Sequence, residues 1–480
     1  MLIADGAKDA YLDRVAGFLT WFTVIVVLLS ALAVGANRPV SWSLLSIFIA
    51  LSFSAYLLLD FLRGYPVGIG RLVPLTVLFV GAIAWGFIQT LPGLPETIWH
   101  PLWSAVESER ATISADPIRG HHHVMRLLCY GMIFWMGARI ASDPYRAHNV
   151  LKIIAIFSTG LAVFGLYAYM TGENAILDDL DRGNALKASF VNRNSYATYA
   201  MIGFLVNIAC YLHFINSDDY ASSIGRIRNF LESFFSGSWI YAVGALLCAS
   251  VIALTLSRAG AGAAIIALIT FSLAYRVKGR ASSPVMILTL LAIVGFVVFT
   301  LSSDLTERFL ATSDENLRFE IYPFVIEGIM QRPLLGHGLG AFLDAFRADV
   351  PLIAASGEWD FAHNAFLENV YELGIPAAAA FYLALGMITW RLWRGTRERM
   401  RDREFSCLAF AAVLAVTFHS IFDFSMQMPA TASLFALIIG MGWTQSYSER
   451  KSGKRSRRKT KVDAKRSVAM ASGPEIKLGS

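Results

Sequence analysis

Twelve stretches of about 20 apolar residues run through this chain, and no other feature restricts its fold so severely. They lie near 15–35, 42–62, 71–91, 124–142, 149–171, 195–215, 238–257, 259–276, 284–302, 365–390, 404–424 and 430–447. A helix of that length crosses the roughly 30 Å hydrocarbon layer of a bilayer. It also satisfies its backbone hydrogen bonds internally, which lipid cannot do for it. Composition agrees: 56% of the residues are hydrophobic and 16% are charged, where soluble domains carry about 25% charged residues. The mean hydropathy is +0.53. The expected fold is an all-α polytopic membrane protein with about twelve transmembrane helices. No small-residue cleavage site follows the first run, so it reads as a retained span and not as a removed signal. Cys129, Cys210, Cys248 and Cys407 all fall in apolar runs and read as small core hydrophobes.

Basic residues in the connections set the orientation. Arg391, Arg394, Arg397, Arg399, Arg401 and Arg403 follow the tenth run; Arg276, Lys278 and Arg280 follow the eighth. Arg226 and Arg228 follow the sixth, and Arg63 and Arg71 the second. A count of twelve puts all of these on one side, with both termini, and that side reads as the cytoplasm. The chain then divides into nine helices over 1–302, a large outer loop over 303–364, three helices over 365–448, and a basic tail over 449–480. Ten Lys or Arg residues lie between Arg450 and Arg466. Such a tail suits anionic lipid better than nucleic acid. The outer face also holds loops near 92–123 and 172–194. Within the large loop, "LRFEIYPFVIEGIMQ" (317–331) is amphipathic and reads as a surface helix. A tight turn on Gly336, Gly338 and Gly340 and a second short helix, "FLDAFRAD", follow it.

Ionisable groups at the outer face are the candidates for chemistry, because charges near lipid are costly to keep. Arg258, in "LTLSRAGAGAA", closes the seventh run on the side that the positive-inside rule disfavours for arginine. Its planar guanidinium suits phosphate. Arg318 lies with Glu320 and Tyr322 in "NLRFEIYP". His363 and Asn364 open "HNAFLENVYELGIP", with Glu368 and Glu372 one and two turns further in. Asn364 suits a helix N-cap, and His363 suits proton transfer near neutral pH. Arg193 and Asn194 precede the sixth run, also outside. His121, His122 and His123 read as a solvated loop, because three adjacent residues on a helix cannot face one ion. "GHGLG" lacks the Lys-Ser/Thr of a phosphate loop and reads as a turn whose amides lie near the site. His419 and Asp423 stand four apart, which would place them on one face of the eleventh helix as a buried pair. No carboxylate cluster for a divalent ion is seen on the outer face, and no metal or cofactor is assigned. Arginines can hold a diphosphate without one, and an imidazole can take a proton from a hydroxyl.

In their order and spacing, "FVNRNSYATY", "LTLSRAG", "RFEIYP…PLLGHGLGAF" and "HNAFLENVYELGIP" resemble the O-antigen ligase and O-antigen polymerase superfamily of bacterial inner membranes. The resemblance covers residues 190–376 by motif and the remainder by topology. It implies a metal-independent, inverting glycosyltransferase of GT-C-like architecture, acting at the periplasmic face. The donor would be a glycan on undecaprenyl diphosphate, and the acceptor a lipid A-core or a growing glycan. Arg258 and Arg318 would grip the diphosphate and His363 would activate the acceptor hydroxyl. Arg193, Asn194, Tyr322, Asn364 and Glu368 would bind or orient substrate. After Gly374 the chain reads "GIPAAA" where ligases continue Gly-x-x-Gly-Thr-Gly. Ligase, polymerase and protein O-oligosaccharyltransferase therefore stay open. A transporter or flippase of lipid-linked glycans would show paired halves with broken helices at the midplane; no internal repeat is seen. A non-catalytic scaffold would be indifferent to His363.

Overall fold

The computed structural model describes residues 2–64, 69–105, 110–174, 176, 185–216, 237–276, 313–349, 359–399 and 401–447. Among these residues there are fourteen α-helices and no strand. They are α1 Leu2–Leu32, α2 Pro39–Arg63, α3 Ile69–Ile88, α4 Pro117–Ile140, α5 Pro144–Thr171, α6 Arg193–Asn216, α7 Trp239–Leu254, α8 Arg258–Arg276, α9 Ser313–Gln331, α10 Phe342–Asp349, α11 Ala365–Leu373, α12 Ile375–Glu398, α13 Arg403–His419 and α14 Pro429–Gln445. The chain is an all-α polytopic membrane protein. The expected run at 284–302 and the basic tail at 449–480 lie outside the described residues.

Local chemistry sets the helix ends. The Asp116 carboxylate accepts from the amides of Ile118 and Arg119 and caps α4, with Pro117 next. Asp143 and Pro144 start α5 in the same way. Gly64 and Gly172, both left-handed, end α2 and α5. His121, His122 and His123 are not in a loop: the Asp116 cap starts α4 before them and makes them its second turn. The expected span at 365–390 is broken at Gly374, whose φ of 76° and ψ of 163° suit only glycine. The Ile375 amide donates to Pro333 O at 2.8 Å across that break. Pro376 then opens α12.

Seven helices, α1, α2, α3, α5, α6, α8 and α12, are long and apolar enough to cross a membrane by length and composition. Four more of the expected runs fall on α4, α7, α13 and α14. These are shorter or more polar, and neighbouring helices cover much of their surface. α14 is buried almost along its whole length. It packs mainly on α4, where a Cβ at Gly137 would come 2.6 Å from Leu437 O and one at Gly440 would overlap Phe134 O. Small residues that let two backbones approach are how helices associate where lipid gives no hydrophobic drive. On the outside, Leu58, Phe61, Met170, Leu273 and Trp390 present apolar surface. In water this would be an aggregation liability; in lipid it is the matching solvent.

The helix ends sort into two groups. At one end arginines dominate. Arg139, at the end of α4, grips Asp60 near the end of α2 through Nε and Nη2, at 2.9 to 3.1 Å. Arg403, opening α13, donates to Ala274 O and Thr396 O near the ends of α8 and α12. Arg71, near the start of α3, lies 4.3 Å over the Tyr447 ring just beyond α14. At the other end α9 and the short helices α10 and α11 dock. Ser189 Oγ donates there to Ala31 O near the end of α1, Leu186 N to Leu254 O, and Thr431 Oγ1 to Ser195 O.

Candidate active site

His363 stands at the lip of α11, on the end opposite the Arg139–Asp60 pair. Its φ is 51°, a left-handed value that strains a side-chain-bearing residue. Three contacts hold it there. Glu368 Oε2 accepts from the Ala362 amide at 2.8 Å, and Gln427 Nε2 donates to Glu368 Oε1. Asn364 caps α11, its Oδ1 accepting from the Phe366 and Leu367 amides at 3.1 Å each. The Ala365 amide donates to Ser420 O at 2.9 Å, which ties the start of α11 to the end of α13. The imidazole packs edge-on against Phe424, centroids 5.0 Å apart, and stays 19% exposed.

His363 Nδ1, the buried nitrogen, lies 3.6 Å from Asp423 Oδ1. That is ion-pair range, somewhat long for a hydrogen bond. Asp423 is fully buried. Burial alone would raise its carboxyl, but His363, the charge of His419 and a hydrogen bond from Ser425 outweigh it and hold the acid below its usual range. A chain of contacts continues inward: Ser425 Oγ donates to Asp423 Oδ2 at 2.8 Å and lies 3.2 Å from His419 Nδ1. His419 Nδ1 is also 2.9 Å from Thr198 Oγ1, one turn into α6 beyond Asn194. His419 and Asp423 therefore do not share a helix face. α13 ends at His419, and Asp423 sits in the turn before α14.

Arg258 opens α8 after a tight turn in which Leu256 has φ 54°. Ser257 Oγ accepts from the Gly260 amide at 3.0 Å. Gly260 lies against Ala197 of α6, and Gly262 against Phe418 beside His419. The first turn of α8 thus sits beside the residues that back His363. Arg193 and Asn194 open α6 in the same neighbourhood, Arg193 half-buried and Asn194 buried. Tyr322 reaches the lip directly, its hydroxyl donating to His363 O at 3.4 Å and Ile421 O at 3.5 Å. Position 318 is four residues, about one turn, before Tyr322 in α9; its side chain lies outside the described residues.

Several of the candidate residues make bonds inside the protein. Asn364 Oδ1 and both Glu368 oxygens bond within the protein, at the base of His363. Glu372 is buried and accepts from the Phe342 amide at 3.2 Å, fixing the start of α10. In "GHGLG", Gly336, Gly338 and Gly340 all have positive φ. The amides of His337 and Gly338 donate to Tyr371 O and Glu372 O, so they close the end of α11 and are not available to a phosphate. Asp423 was missed as the partner of His363. Its signal was Pro429, which marks a new helix start and leaves Asp423 in a turn. Among the described residues one group has metal-ligand character, His148, His213, Asp402 and Glu404, and it lies at the arginine end.

Residues 243–382 match the family model described as O-antigen ligase. The matched stretch includes the Arg258 turn and the His363 lip. It bears out the resemblance to the O-antigen ligase and polymerase superfamily and supports an O-antigen ligase-like glycosyltransferase activity in general terms. No curated protein matches the chain.

Proposed function

We propose that the protein transfers a glycan from undecaprenyl diphosphate to a sugar hydroxyl at the periplasmic face of the bacterial inner membrane. The arginine-rich end would face the cytoplasm with both termini. The observation that carries the reading is the His363–Asp423 pair at the opposite end, on a strained backbone. With Asp423 ionised beside Nδ1, the Nδ1–H tautomer is favoured, and Nε2 is left as the basic nitrogen. Nε2 takes the proton of the acceptor hydroxyl as its oxygen bonds to the anomeric carbon. The bond from that carbon to the diphosphate oxygen breaks on the opposite face, inverting the configuration. The leaving diphosphate gains charge, and Arg258 and Arg318 would stabilise it there. Arg193, Asn194 and Tyr322 border the same region and would orient the sugars. The acceptor is a lipid A-core or a growing surface glycan, and the bilayer presents both lipid-linked substrates.

Deleting the gene and separating the surface glycans by gel electrophoresis tests this. Loss of all lipid-attached polymer indicates a ligase; a single repeat unit left on the lipid core indicates a polymerase. An unchanged glycan profile contradicts both.

A further inference from the structure

We infer that the arginine-rich end of the bundle carries a structural binding site for a divalent transition cation of the zinc class, formed by His148, His213, Asp402 and Glu404. Three elements supply the donors: α5 gives His148, α6 gives His213, and the start of α13 gives Asp402 and Glu404. One ligand atom from each lies within 4.8 Å of the others. A tetrahedral cation with bonds of about 2.1 Å holds its donors about 3.4 Å apart. His148 Nε2 is 3.2 Å from Glu404 Oε1 and 3.5 Å from Asp402 Oδ1. His213 Nδ1 is 2.6 Å from Glu404 Oε1, a direct hydrogen bond that would open by under 1 Å around an ion.

Two further observations are compatible with a ligand set. His148 Nδ1 lies 2.8 Å from Pro144 O, and a carbonyl only accepts, so Nδ1 carries a proton; Nε2 faces the carboxylates, donates to them when no ion is bound, and would turn its lone pair to a cation on losing that proton. Metal-bound histidines are held in this way, with the second nitrogen donating to a carbonyl. A void of about 10 Å³, room for one water-sized body, lies beside the cluster, lined by His148, His213, Glu404 and Lys152 together with Leu151, Ala209, Cys210 and Phe214; Asp402 does not border it. Asp402 has φ 50°, and its Oδ2 accepts from Arg399 at 3.4 Å while Oδ1 faces His148. Lys152 is the one ammonium on the void, and its amine lies 5.3 Å from the Phe214 ring. Two imidazoles with two carboxylates favour zinc-class ions over magnesium or calcium, and four protein ligands make a closed, structural site. The site is separate from the one at His363. Glu404 and His419 are fifteen residues apart on α13, a rise of about 22 Å.

The test uses the full-length, untagged protein in detergent, stripped with chelator and dialysed against Zn²⁺. Bound metal is measured by mass spectrometry and the coordination by the visible spectrum of a Co²⁺-loaded sample. The expected result is about one Zn²⁺ per chain and an intense Co²⁺ spectrum of tetrahedral type. Binding should be unaffected by replacing the exposed His121 and His122 with Ala, and at least about tenfold weaker in His213→Ala and in Glu404→Gln. Failure of the wild-type protein to retain stoichiometric Zn²⁺ overturns the inference, as does retention unchanged by the ligand substitutions. If both variants misfold, the wild-type Co²⁺ spectrum decides: an octahedral or absent signal rejects the site. None of these readouts depends on glycan transfer.

Discussion

In the proposed mechanism the residue that decides the chemistry is His363, and Asp423 decides what His363 can do. A histidine at a helix start in so apolar a chain was legible from sequence, since ionisable groups near lipid are retained for a reason. Asn364 was legible as a cap for the same positional reason. Asp423 was not, because spacing of four from His419 looks like one helix face, and only the turn before Pro429 moves it under His363. The assignment predicts a specific phenotype for Asp423→Asn. The amide fits the same space but cannot hold the imidazole as an ion pair. The transfer rate should fall on the order of 10²-fold, with apparent donor affinity and protein level little changed; steady-state kinetics on purified variant and wild type check this. Equal kcat values would remove Asp423 from the mechanism.

At the scale of elements, the helices themselves were the easiest part to read. Apolar length, aspartate caps and a basic bias at one end are local signals. What was not legible is how the outer segments lock together, because those contacts join residues hundreds of positions apart. Gln89 donates to Leu335 O and Glu372 O, and Arg332 to Trp99 O and Ile98 O. His100 and His337 form the centre of this lock. His337 Nε2 donates to Gly328 O at 2.9 Å, so its Nδ1 accepts from His100 Nε2 at 2.9 Å, and His100 Nδ1 accepts from the Leu102 amide at 3.2 Å. Every position in that chain is filled with both rings neutral. Burial, His337 and Arg332 push His100 down to about 3. Burial, opposed by the Gly328 bond and reinforced by Arg332, brings His337 down to about 4. Both values lie below the ordinary 6.5, so the undocked rings take up protons first as pH falls. The lock's contribution is complete above about pH 6.5 and is lost progressively as pH falls toward about 3. Hydrogen exchange of residues 96–105, corrected for intrinsic rates, should show full protection at pH 7.5 and reduced protection at pH 5. Equal protection at both would contradict this.

At the scale of the molecule, two ends with different chemistry are joined by membrane-length helices. The arginine end is held by pairs such as Arg139–Asp60, and the other end carries His363, Asp423 and the Arg258 turn. Sequence charge alone indicated this polarity, since basic connections follow the second, sixth, eighth and tenth runs. If the polarity has the proposed orientation, a single cysteine at Trp359 reacts with a membrane-impermeant thiol reagent in intact spheroplasts, and one at Arg401 reacts only after the membrane is opened. The reverse pattern would place the site on the cytoplasmic side. The central claim is that the imidazole at the outer lip drives glycan transfer, and the most direct measurement is transfer by purified His363→Ala in proteoliposomes supplied with a lipid-diphosphate-linked glycan and an acceptor. The account predicts a rate lower by about 10²- to 10⁴-fold in a variant that inserts and melts like the wild type; transfer at the wild-type rate would contradict it.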